Sequence, residues 1–176
     1  VETALPGALV RYQKAVSNET SLISYYTFDG LQPKDALGLH DGALTGTAGW
    51  GAGIGGGAAH GLQLDGSGHV SLGSVPDFDF ASGIGTVEGG VRADWTSRSD
   101  YPCMFGNRDG TTRWSLHLSG NKKVLTFYNG MVSAEYPLPG SDAGTTWHHV
   151  AMVFDVSTGA STGTYYWDGV PVATRT

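Results

Sequence analysis

Few side chains in this sequence stand at spacings that do chemistry. His148 and His149 are adjacent, so on a strand they point to opposite faces and cannot ligate one metal together. Residues 51–56, GAGIGG, match the pattern in which glycines bring a dinucleotide's pyrophosphate onto a helix N-terminus. That reading needs a buried strand before the glycines and a helix after them. The flanks, GALTGTAGW and GAAHGLQLDGSGHVSLG, are small, polar or alternating, so no nucleotide is expected and the stretch reads as a structural loop. No phosphate-binding loop and no nucleophile beside an identifiable base is present. The cofactor that fits best is calcium, because hard cations take carboxylates and loop carbonyls and the Asp-Gly turns near Asp29, Asp35 and Asp41 present both.

The elements that must position these residues are short. Glycine takes 28 of 176 positions, far above the usual ~7 %, while Tyr, Trp, Phe, Val and Thr fill the stretches between. Such a mixture specifies many strands joined by tight turns. One helix is expected near the start, where Pro6 precedes ALVRYQKAV and Leu9, Tyr12 and Val16 recur at helical spacing. From there the period is two: SLISYYTF, LQLDGSGHVSL, GTVEGGVRADW, YPCMFGN, RWSLHLSG, KVLTFYNG, TTWHHVAMVFDV and TGTYYWDGVPVATRT are strand-length and end in turn residues. Val150, Met152 and Phe154 share one strand face. His149, Ala151 and Val153 share the other.

Composition also removes partners. A formal charge of -6 with only 10 Lys and Arg, scattered singly, leaves no basic stripe for nucleic acid. No apolar run approaches the ~20 residues of a membrane-spanning helix, so no membrane insertion is expected. Cys103 is the single cysteine, which excludes an intramolecular disulfide and reads as a small strand residue.

SLISYYTFDG, DALGLHDGALTG, GAGIGGGAAHGLQLDGSGHVSLG, GTVEGGVRADW, TTWHHVAMVFD and TYYWDGVPVATRT follow one another in an order that resembles laminin G-like jelly rolls of the concanavalin A-like lectin and glucanase superfamily. The most specific pieces are WHHVAMVFD and YYWDGVPV, the latter a hairpin turned by Asp168 and Gly169. Gly90 stands where family members commonly carry a large aromatic. The resemblance implies an all-β fold: an antiparallel two-sheet jelly-roll sandwich over residues 22–176, preceded by an N-terminal extension with a short helix over 1–21. It further implies a central and a closing strand that do not follow YYWDGVPVATRT. The expectation is that C-terminal strands are lacking, to be supplied by another chain or by a longer sequence, since an open sheet exposes backbone groups.

The same resemblance directs the search for a site. Glycosidases of this fold carry acids as ExDxE, which puts nucleophile and proton donor on one strand face. The four glutamates, Glu2, Glu19, Glu88 and Glu135, have no acid two residues away, and the pair Asp77 and Asp79 reads as a loop that feeds Phe78 and Phe80 inward, so no enzyme is expected. Residues 35–42, DALGLHDG, resemble the family's calcium loop, which names Asp35 and Asp41 first and Asp29 third as ligands. Trp114 and Trp147 fall in alternating strands and read as core, while Trp50, Trp95 and Trp167 are the candidate aromatic platforms for a sugar. The expected function is a non-catalytic carbohydrate- or protein-recognition module at an extracellular or particle surface, with a glycan or surface protein as partner. The alternative is a structural building block of a fibre, appendage or viral particle that oligomerises or accepts a donated strand. A polysaccharide hydrolase or lyase stands third.

Overall fold

The computed structural model describes residues 6–56, 59–78, 84–93, 102–107, 114–118, 124–128, 133–137, 144–155, 157 and 162–175. The chain forms two compact units, Val1–Pro76 and Asp77–Thr176.

In the first unit the expected helix is present as α1 (Pro6–Ser17). Leu9, Tyr12 and Val16 are half-buried, together with the polar Gln13, and Val10 is exposed. Two small antiparallel ladders follow. β1 (Ala43–Thr45) pairs with β4 (His69–Ser71), and β2 (Gly49–Ala52) pairs with β3 (His60–Gln63). The glycine-rich stretch is the hairpin between β2 and β3: Gly53 N donates to Ala59 O, and a Cβ on Gly53 would lie 2.5 Å from the His60 carbonyl oxygen. Only glycine allows that approach of two backbones. An antiparallel strand, not a helix, follows these glycines, so their role is structural.

The second unit holds two four-stranded antiparallel sheets. One runs in the order β12 (Val170–Arg175), β11 (Thr162–Trp167), β10 (His148–Asp155), β5 (Ile84–Val91). The other is a meander, β6 (Cys103–Asn107), β7 (Trp114–Leu118), β8 (Val124–Tyr128), β9 (Ser133–Pro137). Period-two patterning fixes which way each residue points. Val150, Met152 and Phe154 of β10 and Tyr165 and Trp167 of β11 face inward and pack with Val91, Trp114 and Leu116 in one core. Met104, Phe105, Tyr136, Val172 and Ala173 close its sides. Burying each large side chain contributes about 1.5–3 kcal/mol. The Trp114 indole N–H, which would otherwise be a buried orphan, donates to the Phe78 carbonyl at 2.8 Å. The fold is thus all-β, an antiparallel sandwich with one short helix, as the sequence implies.

Three strands lie where the sequence shows no strand pattern, the short β1, β2 and β9. Conversely SLISYYTF, expected as a strand, has no regular secondary structure over 22–28 and enters no ladder among the described residues.

Candidate functional site

The Asp35 loop is built around one carboxylate. Asp35 is 4 % exposed, and its two oxygens accept four backbone N–H bonds. Oδ1 takes those of Tyr25 (2.9 Å) and Leu37 (3.1 Å), and Oδ2 those of Leu39 (3.2 Å) and His40 (3.1 Å). Burial alone would raise the pKa of this acid, but the four donors outweigh it and hold the carboxyl below its ordinary value. Its amide N donates to Asp41 Oδ1 at 3.0 Å, and Asp41 Oδ2 is paired with the Lys34 ammonium. The Lys34 bond, then the Asp35 N–H, keep the Asp41 carboxyl low as well. Asp29 is not part of this arrangement; its Oδ1 accepts the His60 N–H at 3.2 Å.

This geometry corrects the calcium reading. A cation needs oxygens aimed at it, whereas the Asp35 oxygens are aimed at N–H dipoles and Asp41 already faces an ammonium. The residues do not fit a calcium site. Among the described residues no three His, Cys, Asp or Glu side chains converge to hold a metal.

The aromatic candidates separate. Trp167 is 6 % exposed, its ring 5.7 Å from Tyr136 and 4.4 Å from His148, so it is core and not a platform. The signal that places it was present in TGTYYW, where parity with Tyr165 points Trp167 inward. Trp50 is half-buried on β2, with Phe28 6.0 Å away. Trp95 lies outside the described residues, as do Asp79 and Phe80. Trp114 is core as expected, while Trp147 is half-buried with the Arg92 guanidinium 5.0 Å over its ring.

What sequence reasoning missed lies on β5, β10 and β11. The Asp168-Gly169 turn joins β11 to β12, both residues having positive φ (50° and 78°), as a two-residue hairpin turn requires. Asp168 then reaches back to the start of β10: Oδ1 accepts the His149 N–H and Oδ2 bonds His148 Nδ1, each at 2.8 Å, while Asp168 N donates to His149 O at 2.8 Å. On the opposite face from the core, His149 Nε2 lies 3.4 Å from Glu88 Oε2, a diagonal pair between β10 and β5. Their side chains are 35 % and 34 % exposed. The nearest clue in the sequence was the offset of Glu88 and Ala151, which becomes visible only once the register is known.

Two antiparallel sheets sharing one apolar core, with a polar outer face and tight Asp-Gly turns, define the class of antiparallel β-sandwich domains. A laminin G-type family model, described as the concanavalin A-like lectin/glucanases superfamily, matches residues 64–176. The chain belongs to that superfamily. Comparison with curated proteins and with solved structures found no match.

Proposed function

We propose that the chain is a non-catalytic recognition module that binds a glycan or a surface protein at an extracellular or particle surface. The observation that carries this reading is the partner of Glu88. The acid on the outer sheet face stands beside an imidazole, and its same-face neighbours along β5 are Thr86 and Gly90, not a second carboxylate. Glycoside hydrolysis requires two carboxyl groups ~5–10 Å apart across the scissile bond; recognition requires only polar groups and apolar surface held in a fixed shape. The superfamily's laminin G-like domains are usually extracellular, which supports the location. No described helix is long and apolar enough to cross a membrane. A glycan array, run beside a panel of surface proteins, tests the reading; turnover of laminarin or pectin by the purified chain would overturn its non-catalytic part.

A structural role is the second reading, and residues 22–28 favour it. Tyr25 uses its N–H on Asp35 and its C=O on Ala36, which turns that edge of the segment to the 35–36 loop. Ser24 and Tyr26 are half-buried, and no backbone–backbone hydrogen bond joins them to another described residue. A strand from another chain laid along this edge would satisfy them. Solution mass decides it: a higher-order species that Tyr26→Pro dissociates supports strand addition, and a monomer at every concentration tried overturns it.

A further inference from the structure

No base stands near Cys103 in the sequence, and the register of β6 on β7 supplies one. A regular ladder would carry the pairing of Phe105 with Leu116 on to Cys103 with Leu118, with the thiol turned to the core face. A β-bulge between Cys103 and Phe105 breaks that pairing. Met104 is the extra residue, and both it and Phe105 pack against the core. Cys103 is thereby brought into register with His117, and a slip of one residue turns a side chain to the other face of the sheet. The cysteine is exposed there, on a strand that has no second neighbouring strand among the described residues. Directly opposite residues have Cβ atoms about 4.5–5.5 Å apart, within reach of a thiol and an imidazole. The ring is held from its own strand: His117 Nδ1 is hydrogen-bonded to Ser115 Oγ at 3.1 Å, and Ser115 is fully buried. The protonated thiol donates to the Phe105 carbonyl at 3.5 Å.

We propose that Cys103 is a reactive thiol, activated by His117, that forms a mixed disulfide with small disulfides such as oxidised glutathione. His117 Nε2 takes the thiol proton, and the imidazolium so formed stabilises the thiolate as a neighbouring cation. The thiolate attacks one sulfur of the small disulfide. A bond forms between Cys103 Sγ and that sulfur, the original sulfur–sulfur bond breaks, and the departing thiolate takes the proton back from His117. One thiol and one disulfide give one mixed disulfide and one thiol, so no further oxidant is needed. Cys103 is the single cysteine, so no second thiol of the chain displaces the attached group; the product is a cap that added thiol reverses. Charge around the pair favours the imidazolium. The row through Cys103 and His117 continues to Thr126 of β8 and Glu135 of β9, which puts Glu135 two strands, about 10 Å, from His117 and three from Cys103. Tyr128, in register with Ser115, is the other titratable residue that β8 and β9 place on this face, and the described residues of the four strands include no Lys or Arg. This chemistry is separate from recognition and needs neither a glycan nor a protein partner.

Rates of modification by iodoacetamide and by oxidised glutathione between pH 5 and 9, followed by intact mass, test this. His117→Gln and Ser115→Ala are the variants, and a peptide of residues 101–107 is the unactivated thiol. Near-ultraviolet dichroism and Tm establish that each variant is folded, and the comparison of the unaltered chain with the peptide stands without them. The expected iodoacetamide profile of the chain has its midpoint at least one pH unit below that of the peptide. At pH 6, where an ordinary thiol of pKa ~8.5 is only about 0.3 % ionised, glutathione capping is expected about tenfold faster in the chain than in the peptide. His117→Gln should return both readouts to the peptide's values, and Ser115→Ala, which frees the ring to turn, should move the midpoint part of the way. A chain whose profile coincides with the peptide's overturns the proposal, as does a folded His117→Gln that keeps the low midpoint. A folded chain that reacts with iodoacetamide but is never capped by glutathione overturns the small-disulfide assignment and leaves the thiol–imidazole pair standing. A Ser115→Ala profile identical to that of the unaltered chain overturns the positioning role of Ser115 alone.

Discussion

Asp168 and His148 are joined by a 2.8 Å hydrogen bond across 20 residues of sequence, and the same carboxylate holds the His149 N–H at 2.8 Å. One side chain therefore ties the β11–β12 hairpin to the first residues of β10, while its own backbone takes the left-handed conformation of the turn. Asn tolerates that conformation and Ala does not. Asp168→Asn keeps the turn and loses the anionic acceptor, so a loss of about 1 kcal/mol is expected; Asp168→Ala loses both, and about 2–3 kcal/mol is expected. Urea denaturation read by tryptophan fluorescence checks the order, and equal costs would mean that the grip on β10, not the turn, is all that matters.

Asp35 is the clearest source of pH dependence. Four N–H donors hold its folded pKa below the unfolded value of ~3.9 despite burial, so its contribution to stability is present above that value and is lost as pH falls through the folded pKa. Asp35→Asn places an amide NH2 against two N–H donors and is expected to cost about 2–3 kcal/mol at pH 7. Because Asn does not titrate, the gap between the two proteins should stay constant from pH 7 to about 5 and narrow below about 4. Denaturation midpoints across that range measure it. A gap that widens in acid would contradict the assignment of Asp35 as a charged hub.

The parts of this fold that could be read from sequence are those governed by local period. The inward set Val150, Met152 and Phe154, the α1 stripe and the Asp168-Gly169 turn each follow from residues within a few positions of one another. What could not be read depends on the direction in which a group is approached. Sequence places Asp35 in a carboxylate-rich loop, but four backbone donors and a cation give that carboxylate the same neighbours on paper and opposite chemistry in space. SLISYYTF has strand composition, and whether it joins a ladder depends on a partner that local pattern cannot specify. Glu88 and His149 are 61 residues apart, and only the register of β5 on β10 makes them a pair.

Gly163 makes room for the most deeply placed aromatic. A Cβ at that position would lie 2.6 Å from the Tyr165 hydroxyl oxygen and 2.9 Å from Cζ, and Tyr165 is fully buried, so the ring has nowhere to retreat. Gly163→Ala is expected to destabilise by about 1–3 kcal/mol through overpacking. Tyr165→Phe removes the nearest atom, so in the double variant part of that cost should disappear, giving a coupling of about 0.5–1 kcal/mol. A double-mutant cycle by denaturant titration measures the coupling; strict additivity would show that Gly163 is required for its backbone and not for the space it leaves.

The Asp35–Asp41 loop should be indifferent to calcium. Its acids are neutralised from within, Asp35 by N–H dipoles and Asp41 by Lys34, and a divalent ion would have to displace these partners before it met an oxygen. Thermal unfolding in millimolar calcium and in excess chelator is therefore expected to give the same Tm, whereas a ligand held at 100 times its Kd would add about 2.7 kcal/mol of stability. Lys34→Ala sharpens the test, because it uncovers Asp41 Oδ2 while the Asp35 cradle stays intact. If the variant also ignores calcium, the loop is closed to cations by its N–H donors and not merely by the lysine; if the wild type itself gains Tm with calcium and loses it with chelator, a cation binds this chain and the structural reading of Asp35 and Asp41 is wrong.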